Sequence, residues 1–112
     1  MTDPTTTPEA PLPAPERQRE PTHPGELMSQ FLEDLGLDLP EAAQRMELNL
    51  DTLVRVLAGA ERVSAEIALR FTRLAGGEPS LFLAMQDARD LWQEKRRLAA
   101  SLARITPAKA EA

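Results

Sequence analysis

The chain of 112 residues contains no cysteine and no tyrosine, and only one Trp and three Phe. Without cysteine it can form no disulfide, thiolate nucleophile or sulfur-ligated metal site, which suits a reducing cytoplasm. So few aromatic side chains argue against a function based on stacking with single-stranded bases. We also find no apolar run near eighteen residues and no signal-peptide hydrophobic segment, so we expect neither a membrane span nor a secreted protein.

Basic residues are fewer than acidic ones, 13 against 18, which gives a formal net charge of −5. The segment 23–77 holds nine acids and five arginines, whereas residues 78–112 hold five acids and six bases. A DNA-binding domain usually carries a basic patch. This balance therefore argues against tight non-specific binding to DNA, although it permits a locally basic face.

Proline is concentrated at the start, where residues 1–22 carry six of the ten prolines. Such a polar, proline-rich segment has too little apolar surface to offset the entropy of ordering. It predicts a disordered tail, with a partner-binding strand or a proline-rich ligand as the alternative. We divide the chain into this tail (1–22), one domain (23–106) and a disordered C-terminus (107–112).

From Thr22 onward the apolar spacing predicts an all-α domain of five helices, since no segment alternates with period two for the length of a strand. Pro24 and Pro79 suit first helical turns, and Gly36, Gly59 and the pair Gly76-Gly77 suit helix ends. Three residues are predicted N-caps: Asp38, Asn49 and Ser64.

The fifth helix is predicted to be long, from Pro79 to about Ile105. Its inner stripe is predicted to comprise Leu81, Met85, Ala88, Trp92 and Leu98. Its far end extends beyond a small four-helix core and is basic. We interpret that end as a solvated surface, with a dimer contact or a surface for an acidic partner or phosphate as the alternatives. We interpret Trp92 as core or dimer interface, with an anchor for a protein partner as the alternative.

Two short helices, at about 40–46 and 50–58, are joined by Glu47-Leu48-Asn49, which is the helix-turn-helix plan. In such proteins the second helix projects its N-terminal side chains into the major groove of DNA. The candidate DNA-binding residues are Asn49, Asp51, Thr52, Arg55, Arg45 and Arg62.

The candidate residues differ in the part of DNA that they can contact. Asn49 and Thr52 can donate to phosphate or a base edge, and Arg55 to phosphate or guanine. Arg45 and Arg62 are flanking phosphate candidates, whereas an aspartate at position 51 repels phosphate and can accept from cytosine.

Structural roles compete with these assignments. Asn49 can be a plain helix cap, and Arg55 a solvated side chain. Arg70 is better explained by a salt bridge to Glu66, four residues earlier. His23, the only histidine, has no second ligand in view, so we interpret it as the start of the first helix rather than a metal ligand.

Residues 23–86 resemble the HigA-type antitoxins, or VapI group, of the Xre/Cro-like helix-turn-helix proteins. The resemblance rests on HPGELMSQFLEDLGL, EAAQRMELNLDTLVRVLAG and VSAEIALRFTRLAGGEPSLFLAMQ, in order and without gaps. It implies a five-helix fold and a homodimer in the cytoplasm. It also implies repression of its own operon by binding double-stranded promoter DNA, and neutralisation of a HigB-type toxin that cleaves messenger RNA.

The sequence departs from that family pattern at the predicted DNA-facing positions. Leu39 stands where Gln is common, and Glu47 replaces the turn glycine. Leu50 and Asp51 lie where the family often carries Ser-Arg-x-Thr over residues 49–52, and Ala60 and Glu61 replace a basic pair. Two alternatives follow: a protein-binding module on the same fold with weak or lost DNA binding, or a helix-turn-helix regulator without a toxin. No nucleophile, glycine-rich phosphate loop or metal cluster accompanies the acids, so we expect neither an enzyme nor a cofactor.

Overall fold

A computed structural model describes residues 19–109. Within that range the chain forms six helices and no strand: α1 Pro24–Leu35, α2 Leu39–Met46, α3 Leu50–Leu57, α4 Ala65–Ala75, α5 Pro79–Arg97 and α6 Ala99–Ala103. The all-α prediction is confirmed. The greater part of the predicted tail, residues 1–18, and the last three residues of the predicted disordered C-terminus lie outside the described residues.

The first four helices begin at side chains that accept a backbone N–H. The predicted caps do so at Asp38, which accepts from Glu41 at 2.9 Å, and at Ser64, which accepts from Ile67 at 3.2 Å. The His23 ring starts α1 by accepting from Gly25 at 2.9 Å. Because the first amides of a helix have no partner within it, these bonds fix where each helix starts.

The turn between α2 and α3 passes through an unusual backbone conformation. Glu47 has φ 55°, and it is the only non-glycine residue between 19 and 109 with a positive φ. Its N–H closes the end of α2 by donating to Gln44 O at 3.1 Å. A side chain in this left-handed region is strained, because Cβ approaches the backbone. Glu47 thus adopts the positive φ for which glycine is preferred at this turn.

The core is organised around three aromatic rings from three helices. Phe31 of α1, Phe71 of α4 and Phe82 of α5 lie with ring centroids 5.5–5.9 Å apart, and Phe71 and Phe82 meet edge to face. Both are fully buried. The α2–α3 pair packs against this centre through small and medium side chains: Ala42, Ala43, Met46, Leu53 and Val56.

The inner face of α5 differs from the predicted stripe. Leu81 and Ala88 are exposed and Met85 is only half-buried, whereas the buried residues of this helix are Phe82 and Gln86. The buried face is thus rotated by one residue. Two tertiary contacts explain the rotation: Phe82 completes the aromatic cluster, and the Gln86 side-chain oxygen accepts from Val63 N at 2.8 Å.

The predicted long fifth helix stops earlier than expected. It ends at Arg97, and Leu98, with φ −97° and ψ 6°, separates it from the short α6. No glycine or proline lies at the break. Beyond Gln86 no residue of α5 or α6 is buried, so packing does not hold this part straight, and packing normally supplies most helical stability. None of the helices between residues 19 and 109 has both the length and the apolar character to cross a membrane.

Candidate nucleic-acid interface

The α2–α3 unit is held by backbone bonds and by one arginine. Leu48 N donates to Ala43 O at 2.9 Å, and the half-buried Leu48 side chain packs against the core. From α4, Arg70 donates through Nη1 to Met46 O at 2.9 Å and pairs with Glu66. The predicted salt bridge is therefore confirmed. Arg70 also donates to the last carbonyl of α2 and so joins α4 to the end of that helix.

Helix α3 buries Leu53 and Val56 and presents its other side to solvent. The exposed residues on it include Leu50, Asp51 and Arg55, and Asp51 has 78% of its side chain accessible. The cap residue Asn49 is also exposed, but its side-chain oxygen already accepts from Thr52 N at 3.2 Å. The structural role of Asn49 is confirmed. A contact to DNA by Asn49 or Thr52 stays a prediction.

Arg55 lies between two carboxylates. Its Nη1 donates to Asp51 Oδ2 at 2.6 Å, and its Nε and Nη2 lie 3.0 and 2.9 Å from Glu61 Oε1. The hydrogen bond with Glu61 is the main reason that the pKa of Arg55 is raised above its ordinary value. Arg55 is therefore not the free solvated side chain considered from the sequence, although 46% of it remains accessible.

The two flanking arginines are also paired with acids. Arg62 donates through Nε and Nη2 to Asp90 Oδ2 on α5, at 3.0 and 2.5 Å, and its hydrogen bond lowers the pKa of that carboxyl group. Arg45 lies 3.4 Å from Glu41 on its own helix. Both remain more than half exposed, so they can still reach a phosphate by exchanging partners. Arg62 extends toward α5, whereas Asn49 caps α3 and Asp51, Thr52 and Arg55 lie in its first two turns.

The loop after α3, residues 58–63, is fastened to α1 and α5. His23 Nε2 lies 3.1 Å from the Glu61 carbonyl, and Val63 N donates to Gln86 as described above. Because His23 Nδ1 accepts a backbone N–H, its ring is neutral with the proton on Nε2. Burial is the main cause, and the nearby Arg89 charge a second cause, of the lowered pKa of His23. Both nitrogens are therefore used to join the start of α1 to this loop.

Three residues at this surface were given no role from the sequence: Leu50, Val54 and Glu61. Glu61 was noted only as a departure from a basic pattern, whereas it orients Arg55 through its side chain. Leu50 and Val54 are apolar yet about two-fifths exposed on α3. The sequence already indicated that Leu50 and Val54 are exposed, because neither lies on the apolar stripe formed by Leu53 and Val56. Apolar groups in this position can contact the methyl group of thymine.

A capped helix that follows another short helix after a tight turn and exposes its N-terminal half defines a helix-turn-helix protein. No protein-family model matches the chain. A helix-turn-helix-type transcriptional regulator of Haemophilus influenzae is 30% identical over 93 residues, which cover 80% of this chain and 87% of the relative.

Solved structures give the particular family. An addiction-module antidote protein of the HigA family from Coxiella burnetii is 27% identical, with a TM-score of 0.70, over 79% of this chain and 98% of that one. The antitoxin HigA of Pseudomonas aeruginosa, solved with the higBA promoter, is 20% identical with a TM-score of 0.72 over 80% and 99%, and supports the fold alone. The chain belongs to the HigA-type antitoxins of the Xre/Cro-like helix-turn-helix proteins.

Proposed function

We propose that this protein is a DNA-binding transcriptional regulator of the HigA antitoxin type, which represses its own operon and neutralises a HigB-type toxin that cleaves messenger RNA. The observation that carries the DNA-binding part is the exposed N-terminal half of α3, with Arg55 pointing outward between Asp51 and Glu61. Membership of the HigA family carries the toxin-neutralising part. Such a protein acts in the cytoplasm by binding and not by catalysis.

The roles at the interface follow from position and chemistry. Asp51 and Arg55 face base edges in the major groove, while Asn49 and Thr52 lie at the positive end of the α3 dipole, where phosphate is favoured. Arg45 and Arg62 flank this helix and contact the sugar-phosphate backbone after releasing Glu41 and Asp90. Because each release leaves a carboxylate near the DNA, the electrostatic gain is smaller than for an unpaired arginine.

The protein acts as a homodimer in this proposal, because two helix-turn-helix units are needed to match a palindromic operator. Large apolar side chains are exposed along α5, in α6 and just after it, among them Leu81, Leu91, Leu102 and Ile105. A second copy, or the toxin, would remove this surface from water. Trp92 lies half-buried on α5 with the Arg96 guanidinium 4.7 Å from its ring centroid, and belongs to the same region.

One observation favours a second function, a protein-binding module with weak or lost DNA binding. All three candidate arginines of the interface, Arg45, Arg55 and Arg62, are paired with carboxylates of the same chain. A surface neutralised in this way attracts the DNA backbone less strongly. A regulator that binds DNA without a toxin partner remains the third hypothesis.

The test is fluorescence anisotropy of the full chain with duplex DNA from its own promoter, against a scrambled duplex, at two salt concentrations. We expect specific binding that weakens as salt rises, because phosphate contacts release counterions. Arg55→Ala should reduce affinity for the promoter, and unchanged affinity would remove Arg55 from the site. Failure to prefer the promoter at low salt would favour the protein-binding module.

A further inference from the structure

The guanidinium of Arg55 has N–H donors that do not bond to Asp51 or Glu61. The group carries five N–H donors. Nε donates to Glu61 and Nη1 donates to Asp51, while Nη2 lies 2.9 Å from Glu61 Oε1. Because each terminal nitrogen carries two N–H groups, at least one N–H remains on each. The two carboxylates therefore orient the arginine side chain and leave N–H donors available for DNA.

Two adjacent N–H donors match one base in the major groove. Guanine presents O6 and N7 there as neighbouring acceptors, and a bidentate arginine is the commonest specific contact to it. An arginine that is already oriented loses less side-chain entropy on binding than a free one. Asp51 accepts from Arg55 through Oδ2, and 78% of its side chain remains accessible.

We propose that Arg55 selects guanine in the operator, and that Asp51 and Glu61 are the positioning residues that give it this selectivity. This proposal rests on the DNA-binding function proposed above and names the sequence that the site recognises. Glu61 is suited to the role because its backbone is fixed independently by His23, so that its carboxylate projects from a held point. The acidic residues that depart from the family pattern thus contribute specificity.

The carboxylates of Asp51 and Glu61 should lower the affinity for any duplex and raise the selectivity for guanine. Two carboxylates beside one guanidinium leave this part of the surface negative, so they weaken the attraction of any duplex. Removing either carboxylate should therefore raise affinity for DNA of arbitrary sequence. If the same carboxylates orient Arg55, their removal should lower the preference for guanine. A group that acted only through its charge would change the first quantity and leave the second unchanged.

The experiment selects binding sites for the full-length protein from a pool of randomised duplexes. We expect one position in each half-site to be enriched in guanine, and Arg55→Gln to shift that position toward adenine, which glutamine recognises. Replacing this guanine by 7-deazaguanine, which lacks the N7 acceptor, should weaken binding to the wild type by about fivefold or more. The same replacement should have little effect on binding by Arg55→Gln at the guanine-containing site.

Glu61→Gln and Asp51→Asn test the positioning role, because both keep the shape of the side chain and remove its charge. We expect both to bind a scrambled duplex more tightly and to discriminate less between guanine and 7-deazaguanine. Glu94→Gln, on the last turns of α5, is the control with the same charge change, and should keep the wild-type discrimination. Thermal unfolding of each variant verifies that it is folded.

Two results would overturn this inference while leaving the proposed function intact. One is a selected motif that does not change with residue 55. The other is an unchanged discrimination in both Glu61→Gln and Asp51→Asn, which would make the carboxylates purely repulsive. If the folded wild-type protein selects no motif at all, the proposed sequence-specific DNA binding fails together with the inference.

Discussion

Replacing Glu47 by glycine should stabilise this protein, which is unusual for a change to glycine. Glu47 has φ 55°, and its side chain is exposed. A non-glycine residue in the left-handed region costs about 1–2 kcal/mol. Glycine relieves that cost but gives the unfolded chain more freedom, which costs about 0.5–1 kcal/mol. The backbone bond from residue 47 to Gln44 O is kept, because it does not involve the side chain.

The difference predicts that Glu47→Gly gains about 0.5–1 kcal/mol, which corresponds to a rise in Tm of about 2–8 °C for a domain of this size. Thermal and urea unfolding measure it. Glu33→Gly, in α1, is the matched control and should lose about 0.5–1 kcal/mol, because its backbone is already helical. Glu47→Ala, which keeps Cβ, should not gain stability. Equal losses in the two glycine variants would refute the account of strain at residue 47.

Three further changes test other parts of the structure. Gly25→Ala would place a Cβ 2.1 Å from Val56 O, so α1 and α3 must move apart; we expect a loss of about 1–3 kcal/mol in urea unfolding, and wild-type stability would contradict this packing. The lowered pKa of His23 means that the native state binds fewer protons, so stability should be full above pH 6.5 and decline below it, by at most about 1.4 kcal/mol per pH unit. His23→Gln should lack this decline between pH 6.5 and 5, and a profile identical to the wild type would exclude His23 as its source. Asp51→Arg should strengthen non-specific DNA binding and steepen its dependence on log salt by about 0.9, because the longer arginine can reach one phosphate beside the groove; an unchanged slope would place residue 51 away from the DNA.

The starts of the helices could be predicted because they depend on local chemistry. Asp38, Asn49 and Ser64 each cap a helix through an amide three residues further along the chain. The unusual residue at position 47 was also visible in the sequence, because glycine is preferred where a turn needs a positive φ. Such features involve neighbours in sequence, and residue type together with spacing is enough to find them.

The orientation of α5 and the state of the interface arginines could not be predicted in this way. Gln86 is buried because it satisfies Val63 N, 23 residues earlier, and a polar residue gives no sign of this in a hydrophobic pattern. The Arg55–Asp51 ion pair is an exception, because its spacing of four residues on one helix could have predicted it. The Arg62–Asp90 pair spans 28 residues and requires the packing of the loop against α5.

Glu61 takes part in the fold through its carbonyl and in the interface through its carboxylate. These two duties are chemically separate, since any residue at position 61 offers a carbonyl to His23. Under the proposed role of Arg55, substitutions there would alter which operator is bound and leave the contact with His23 in place. Under the same proposal, position 61 offers duplicated copies of such a regulator a route to diverge in their targets while each remains folded.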